Sequence, residues 1–391
     1  MVNRLKRGPG WIRLGAALLI FSALVLSCSQ DSLFADISYE QKPKDPRIPG
    51  TPTNIVTAME GANTYLCVTN IGAKKIYRYR EKQWSSSLRA PKSPVVALAS
   101  DGTDLYALCG GMMSSSLYKY GEDEDNPGNW KWTLIEPGDA AGYSLQYVYG
   151  TETMIFAGGR KDNSWEIFCT DGNSSLRSLN VNASRPLSGA AELSGVYYVA
   201  AGAGGIFMWD SSASVLVPSP QGNVTGMINT NGEIIAVTSG GSVLKLEGTQ
   251  FISILSTGAN FTGGMCVWKK YDETANAWID SLILLGVSSG SKYSKGYREI
   301  TLDSSGHPDS ELRVPGSIDP SSVSSGNKNK YEASIARYSV NFMAQVPDDV
   351  ENFPRDENGD IKNPGGWEPL IFASTVLNGM QSLRNGLWNA E

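Results

Sequence analysis

The chain repeats one short pattern. From residue 54 onward, apolar residues fall in clusters of four to seven, rich in Val, Ile, Leu and Tyr, each bounded by Gly, Asn, Asp or Ser. Clusters of this length with these boundaries read as strands joined by tight turns, and the spacing of an amphipathic helix is nowhere sustained. The clearest unit runs from Ser93 to Pro137. It reads VVALAS, the turn DGTD, LYALCGG, a short loop, SLYKY, the acidic turn EDEDNPGN, and WKWTLIEP. That is four strands and three hairpins.

The same order recurs upstream as NIVTAME, TYLCVTN, KIYRYRE and QWSSSLR. Downstream, a third unit has SLQYVYG, MIFAGGR and SWEIFCT, a fourth has LSGAAEL, VYYVAAGAGG and IFMWDSS, and a fifth has VTGMINT, NGEIIAVTSGG and SVLKLEG. TGGMCVWKK, SLILLGVSSG, GYREITL and ELRVPG form a sixth, whose first hairpin is lengthened by YDETANAW. A linker at about 315–330 precedes a seventh, which holds YEASIARYSVNFMAQV, PLIFASTV and an insertion at about 347–366. Glycine pairs at 110, 158, 204 and 240 are separated by 48, 46 and 36 residues. Such intervals suit the blades of a β-propeller.

A four-stranded meander cannot bury both faces alone, so it stacks on like neighbours, and closing the stack into a ring removes the exposed ends. Small residues recur in the first strand of each unit, at Ala97, Ala99, Gly189, Ala190, Gly226, Gly263 and Gly264. First strands crowd around a propeller axis, where bulky side chains collide. The expected fold is therefore all-β, a single propeller of seven four-stranded blades over 54–391. The seventh unit ends in SLRNGLWN with an outer strand missing, and the alternating segment LFADISYE, 33–40, is expected to supply it.

In the unit from Ser93, Gly110-Gly111, Tyr118 or Tyr120, and Trp130 resemble the kelch signature of a double glycine, an aromatic and a tryptophan. The resemblance is degenerate. The first unit keeps Tyr77, Tyr79 and Trp84 without the glycine pair, while the third and fifth keep Gly158-Gly159 and Gly240-Gly241 without the tryptophan. Trp209-Asp210 matches the dipeptide of WD40 repeats only once and is read as chance.

The first 27 residues follow a different logic. Arg4, Lys6, Arg7 and Arg13 precede or border an uncharged apolar run, Leu14 to Leu26, with no acidic residue before Cys28. The run is short for a membrane span, and its flanks suit a signal peptide. Val25-Leu26-Ser27-Cys28 resembles the lipobox of bacterial lipoproteins, and together with an irregular propeller the chain resembles envelope lipoproteins of bacteria such as spirochaetes. The resemblance implies cleavage after Ser27, lipid on Cys28, and a body tethered to the inner or outer membrane of a bacterial envelope, facing periplasm or exterior. Residues 28–53 are then the anchor segment.

Removing residues 1–27 takes four positive charges from a net charge of -6, leaving about -10. A body that acidic has no electrostatic footprint for nucleic acid or anionic lipid. Cys67, Cys109, Cys169 and Cys266 lie far apart inside apolar runs, so they read as small buried thiols and not as zinc ligands. The single histidine, His307, sits in the loop SSGHPDS, which excludes His-rich metal sites and most Ser-His-Asp arrangements.

Two acidic clusters remain. Glu122 to Asp125 reads as a solvated turn, and Asp356, Asn358 and Asp360 read as an Asx turn because Ile361 stands where a calcium loop needs glycine. GVSSG, centred on Ser288, has no following helix to make a nucleophile elbow. No cofactor, metal site or catalytic group is assigned.

Arg78, Arg160, Arg185, Arg298 and Arg337 are the cations a fold of this kind could gather at its channel mouth. Phe353 and Trp367, in the insertion of the last unit, are candidate partner-binding aromatics. The sequence thus points to a noncatalytic binding or scaffold module for a protein or glycan. The alternative is a carbohydrate-active enzyme using Asp, Glu, Arg and Tyr at the channel mouth.

Overall fold

A computed structural model describes residues 48–60, 63–70, 75–80, 83–92, 94–111, 114–123, 125–181, 183–272, 277–289, 296–303, 305–313, 335, 337–346, 371–384 and 387–390. The segments assigned to signal and closing strand, residues 1–27 and 33–40, lie outside them, as does the anchor segment 28–53 up to residue 47. So do the linker and the whole insertion, with Asp356, Asn358 and Asp360.

Twenty-eight strands form seven separate four-stranded antiparallel sheets. Blade one runs from Val56–Glu60 to Gln83–Arg89, blade two from Val95–Ser100 to Asn126–Leu134, and blade three from Ser144–Gly150 to Arg177–Ser178. Blade four runs from Gly189–Leu193 to Ser214–Val217, blade five from Val224–Thr230 to Gln250–Ser256, blade six from Asn260–Asp272 to Pro308–Arg313, and blade seven from Val340–Gln345 to Leu387–Ala390. Within every blade, sequence neighbours are sheet neighbours. The protein is a seven-bladed β-propeller.

Packing follows from that geometry. The described core divides into seven hydrophobic clusters, and each draws its residues from two adjacent blades. Seven seams for seven blades means a closed ring. Second strands, covered on both faces, are almost continuously buried, as in LYALCGG of blade two and IFAST of blade seven. Outer strands such as Ser214–Val217 keep half their residues in water.

First strands meet nearly backbone to backbone, which explains their small residues. A Cβ on Gly226 of blade five would stand 2.9 Å from the Gly263 Cα of blade six. One on Gly264 would stand 2.5 Å from the Asn341 carbonyl of blade seven.

Ring closure differs from the sequence reading. The outer strand of blade seven is Leu387–Ala390, paired through Leu383↔Trp388, so the four strands come from 340–390 and none is missing. Four residues at the chain's end suffice because an outer strand needs only one partner. An N-terminal segment does reach blade seven, but it is 48–52. The Met380 N–H donates to the Ile48 carbonyl at 3.1 Å and the Gly379 N–H to the Gly50 carbonyl at 2.8 Å. Ser374 Oγ donates to the Pro52 carbonyl at 2.7 Å.

Ile48 is fully buried in the seam between blades seven and one, where Tyr79, Trp84 and Phe372 pack with ring centroids 4.8 to 5.3 Å apart. Asn54 then ties the lead-in to blade two. Its amide donates to the Leu98 carbonyl, and its Oδ1 accepts the Leu98 N–H at 3.0 Å. No helix among the described residues is long and apolar enough to cross a membrane.

Candidate functional site

An even number of antiparallel strands returns the chain to the same face after each blade. One face, here the upper, therefore carries every connection into a first strand and every loop between strands two and three. The lower face carries the remaining hairpins.

The first strands enclose a central channel of about 320 Å³, lined by Thr57, Ala99, Gly150, Gly189, Gly226, Gly263 and Phe342, one residue from each blade. Its wall is mostly small, apolar and uncharged. A wider space of about 550 Å³ opens beside it, toward the upper face, over blades three, four and five. Its lining includes Tyr147, Tyr149, Arg185, Ser188, Asn223 and Thr225.

Each of these side chains is placed by a local cause. Tyr147 stands on the first strand of blade three opposite Gly158 of the second. A Cβ on Gly158 would approach the Leu187 Cβ to 2.8 Å, so the first glycine of the Gly158-Gly159 pair lets blade four close over this cleft. Tyr147 is 36% exposed, and its ring lies 5.7 Å from Trp165, tilted by 56°. Burial pushes the Tyr149 hydroxyl up to about 12, with Tyr147 adding to the effect, so it stays a protonated donor.

Arg185 lies in the connection from blade three to blade four and is exposed. Among the described residues no ion pair or hydrogen bond is formed by its guanidinium. Gly202, at φ +53, sits between Arg185 and Asn223: a Cβ there would fall 2.8 Å from Asn223 Oδ1 and 3.6 Å from the Arg185 Cβ. The Gly202 N–H donates to Ser188 Oγ at 3.0 Å, which fixes this turn. Asn223 donates its amide to Ser239 Oγ at 3.3 Å and leaves Oδ1 facing the glycine.

Among the described residues that line both spaces there is no aspartate or glutamate. Chemically, the wider one offers one guanidinium, two phenol hydroxyls, an amide oxygen and an aromatic face.

Of the five arginines considered as a cluster, only Arg185 lines this space. Arg78 is held by Glu60 at 2.6 Å within blade one and lies 5.2 Å from the Tyr65 ring. Arg160 donates to the Asp162 carbonyl at 2.9 Å and covers Trp165 at 5.8 Å. Arg298 donates to the Tyr297 carbonyl at 2.8 Å in blade six, and Arg337 precedes the first strand of blade seven. Cys28, Phe353 and Trp367 lie outside the described residues.

The other singled-out residues have structural places. Cys67, Cys109, Cys169 and Cys266 are free and buried, and burial pushes the Cys109 and Cys169 thiols up to about 11 and that of Cys266 up to about 12. Ser288 Oγ donates to the Asn260 carbonyl at 3.2 Å near a strand end. His307 is exposed, as read, but its Nδ1 contacts Glu233 Oε1 at 2.5 Å. That carboxylate also takes Lys245 at 2.6 Å.

In the acidic turn of blade two Glu122 and Asp125 are exposed as expected, and Asp123 is the exception. Asp123 is 8% exposed and paired with Lys131 at 2.7 Å, and this bond holds its carboxyl below the usual range. No group of three metal-ligating side chains is found among the described residues.

One recurring device escaped the sequence reading. On the lower face, Asp101, Asp171, Asp210 and Asp303 each accept backbone N–H bonds from residues two to four positions on. The signal was DGTD, DGNS, DSSA and DSSG, four Asx-turn sequences in lower-face hairpins, the first between strands one and two of its blade and the others between strands three and four.

No family model and no curated protein matches the chain. Solved structures do. The chain is similar to the Niastella koreensis GH74 enzyme, with a TM-score of 0.53 and 13% identity over 89% of this chain and 55% of that one. YCF48 bound to D1 peptide gives a TM-score of 0.48 at 9% identity, over 87% and 93% of the two chains. The Dos1 propeller gives 0.48 at 11%, over 88% and 81%. At these identities the likeness is one of fold.

Proposed function

We propose that this protein is a lipid-anchored binding module of a bacterial envelope, in which the rigid ring presents the upper mouth of its channel to a protein or glycan partner. The observation that carries this reading is the chemistry of the mouth. Twelve described residues line it, and they combine phenol donors, an exposed aromatic face and a guanidinium with no ion pair among the described residues, and no carboxylate is among them. Most glycoside hydrolysis uses a pair of carboxyl groups flanking the bond. Recognition needs only placed donors, acceptors and an apolar surface.

Anchoring rests on the lipobox-like Val25-Leu26-Ser27-Cys28. The full-length protein, extracted in detergent and immobilised, should retain one stoichiometric partner from envelope extract. A Tyr147→Ala, Arg185→Ala double variant should not retain it. Equal retention by both proteins would remove the mouth from the function. Radiolabelled palmitate should enter the wild type and not Cys28→Ala, and label in the variant would refute the anchor.

A further inference from the structure

The mouth also indicates which kind of group it holds. Arg185 carries a fork of five N–H donors with no carboxylate on it among the described residues, and a planar carboxylate is its two-point complement. One cation with no second basic residue in the lining matches a monoanion better than a phosphate dianion. The same lining holds groups that suit hydroxyls. Asn223 Oδ1 accepts, and Tyr147 and Tyr149 can each donate and accept. The exposed Tyr147 ring, backed by Trp165, gives a flat apolar face of the size of a pyranose. A space of about 550 Å³ accommodates a sugar or two.

We propose that the upper mouth binds a carboxylate-bearing pyranose, a uronic-acid type of residue. Arg185 takes the carboxylate, Asn223 Oδ1 and the tyrosine hydroxyls take ring hydroxyls, and Tyr147 carries the C–H face. This deepens the binding reading and rests on it. A peptide C-terminus shares the carboxylate, but it brings neither a ring for Tyr147 nor several hydroxyls for Asn223 and the phenols.

The test titrates full-length protein in detergent with methyl β-D-glucuronide, methyl β-D-glucoside and N-acetyl-glycylglycine, read by calorimetry and ligand-observed NMR. The glucuronide should bind at least about tenfold more tightly than the glucoside, the weight of a hydrogen-bonded charge. Arg185→Ala should weaken it by about tenfold or more, and Arg185→Lys should fall between, keeping charge but not the fork. Arg185 is exposed, so an unchanged melting temperature separates lost contact from lost fold.

Equal binding of the glucoside, preference for the dipeptide, indifference to Arg185→Ala, or no binding by the glucuronide would each overturn the proposal. If an envelope partner is retained at the mouth while the glucuronide neither binds nor competes, the binding function stands and the ligand class falls. If a uronic-acid polymer is bound and cleaved, the ligand class stands and the noncatalytic reading falls.

Discussion

Phe372 sits where the last blade meets the first, and replacing it tests ring closure. Its side chain is fully buried on the second strand of blade seven. Its ring lies 4.8 Å from Tyr79 and 5.0 Å from Trp84, both edge-on and both in blade one. Phe372→Ala removes the ring and leaves a cavity walled by Ile48, Leu66, Val68 and Met380, all fully buried. The expected cost is about 3–5 kcal/mol. About 0.5–1.5 kcal/mol of coupling belongs to each aromatic pair, so a cycle with Tyr79→Leu should show an interaction of that order.

At roughly 2 cal/mol/K per residue, a ring of this length unfolds with an entropy near 0.7 kcal/mol/K, so the melting temperature should fall by about 4–7 °C. Calorimetry on the two single variants, their double variant and Leu216→Ala, which removes a side chain 58% exposed, makes the measurement. Equal melting shifts for Phe372→Ala and Leu216→Ala would mean that blades seven and one do not pack, and the closed ring would be wrong.

Gly226→Ala should cost about 1–3 kcal/mol because its Cβ meets backbone of the next blade, while Gly258→Ala, with nothing within 4 Å, should be neutral in the same melt. On the lower face, the Ser212 hydroxyl and the Ala213 and Ser212 N–H groups hold Asp210 at about 2, and similar bonds lower Asp171 and Asp303. A folded pKa below the unfolded value of about 3.9 stabilises fully above that value and is lost as pH falls toward 2. Melting temperature should therefore drop on acidification across that window, and Asp210→Asn should make the drop shallower. An unchanged acid limb would contradict the assignment. A colorimetric thiol reagent should label none of the four buried cysteines in the native protein and four after unfolding. A fifth equivalent would show that Cys28 is unmodified.

The blade count was legible because second strands are covered on both sides. LYALCGG, EIIAVT and IFAST stand out by their consecutive apolar residues, LYALC, IIAV and IFA, close to turn residues. Outer strands were less so. Arg177–Ser178 has two residues and no apolar one, and Gln250–Ser256 spreads its apolar residues among polar ones, because an edge strand has little to bury. For the same reason LWNA was too short to be seen as the outer strand of blade seven, which left a vacancy for 33–40 to fill.

The candidate site was hardly legible. Arg185, Asn223 and Tyr147 come from two connections and a strand brought together by the stacking of blades three, four and five, and none belongs to a local motif. The Gly158-Gly159 pair was the visible trace: it looked like a repeat marker, and it also shapes the cleft beside Tyr147.

The central claim is that the upper mouth is where this ring binds. Hydrogen exchange of the full-length protein, with and without the partner retained from the envelope, tests it directly. Protection is expected at 185–188, 202–203 and 223–225, the segments around Arg185, Gly202 and Asn223. Protection confined to the lower-face turns at Asp101, Asp171, Asp210 and Asp303, or no change at the mouth, would contradict the account.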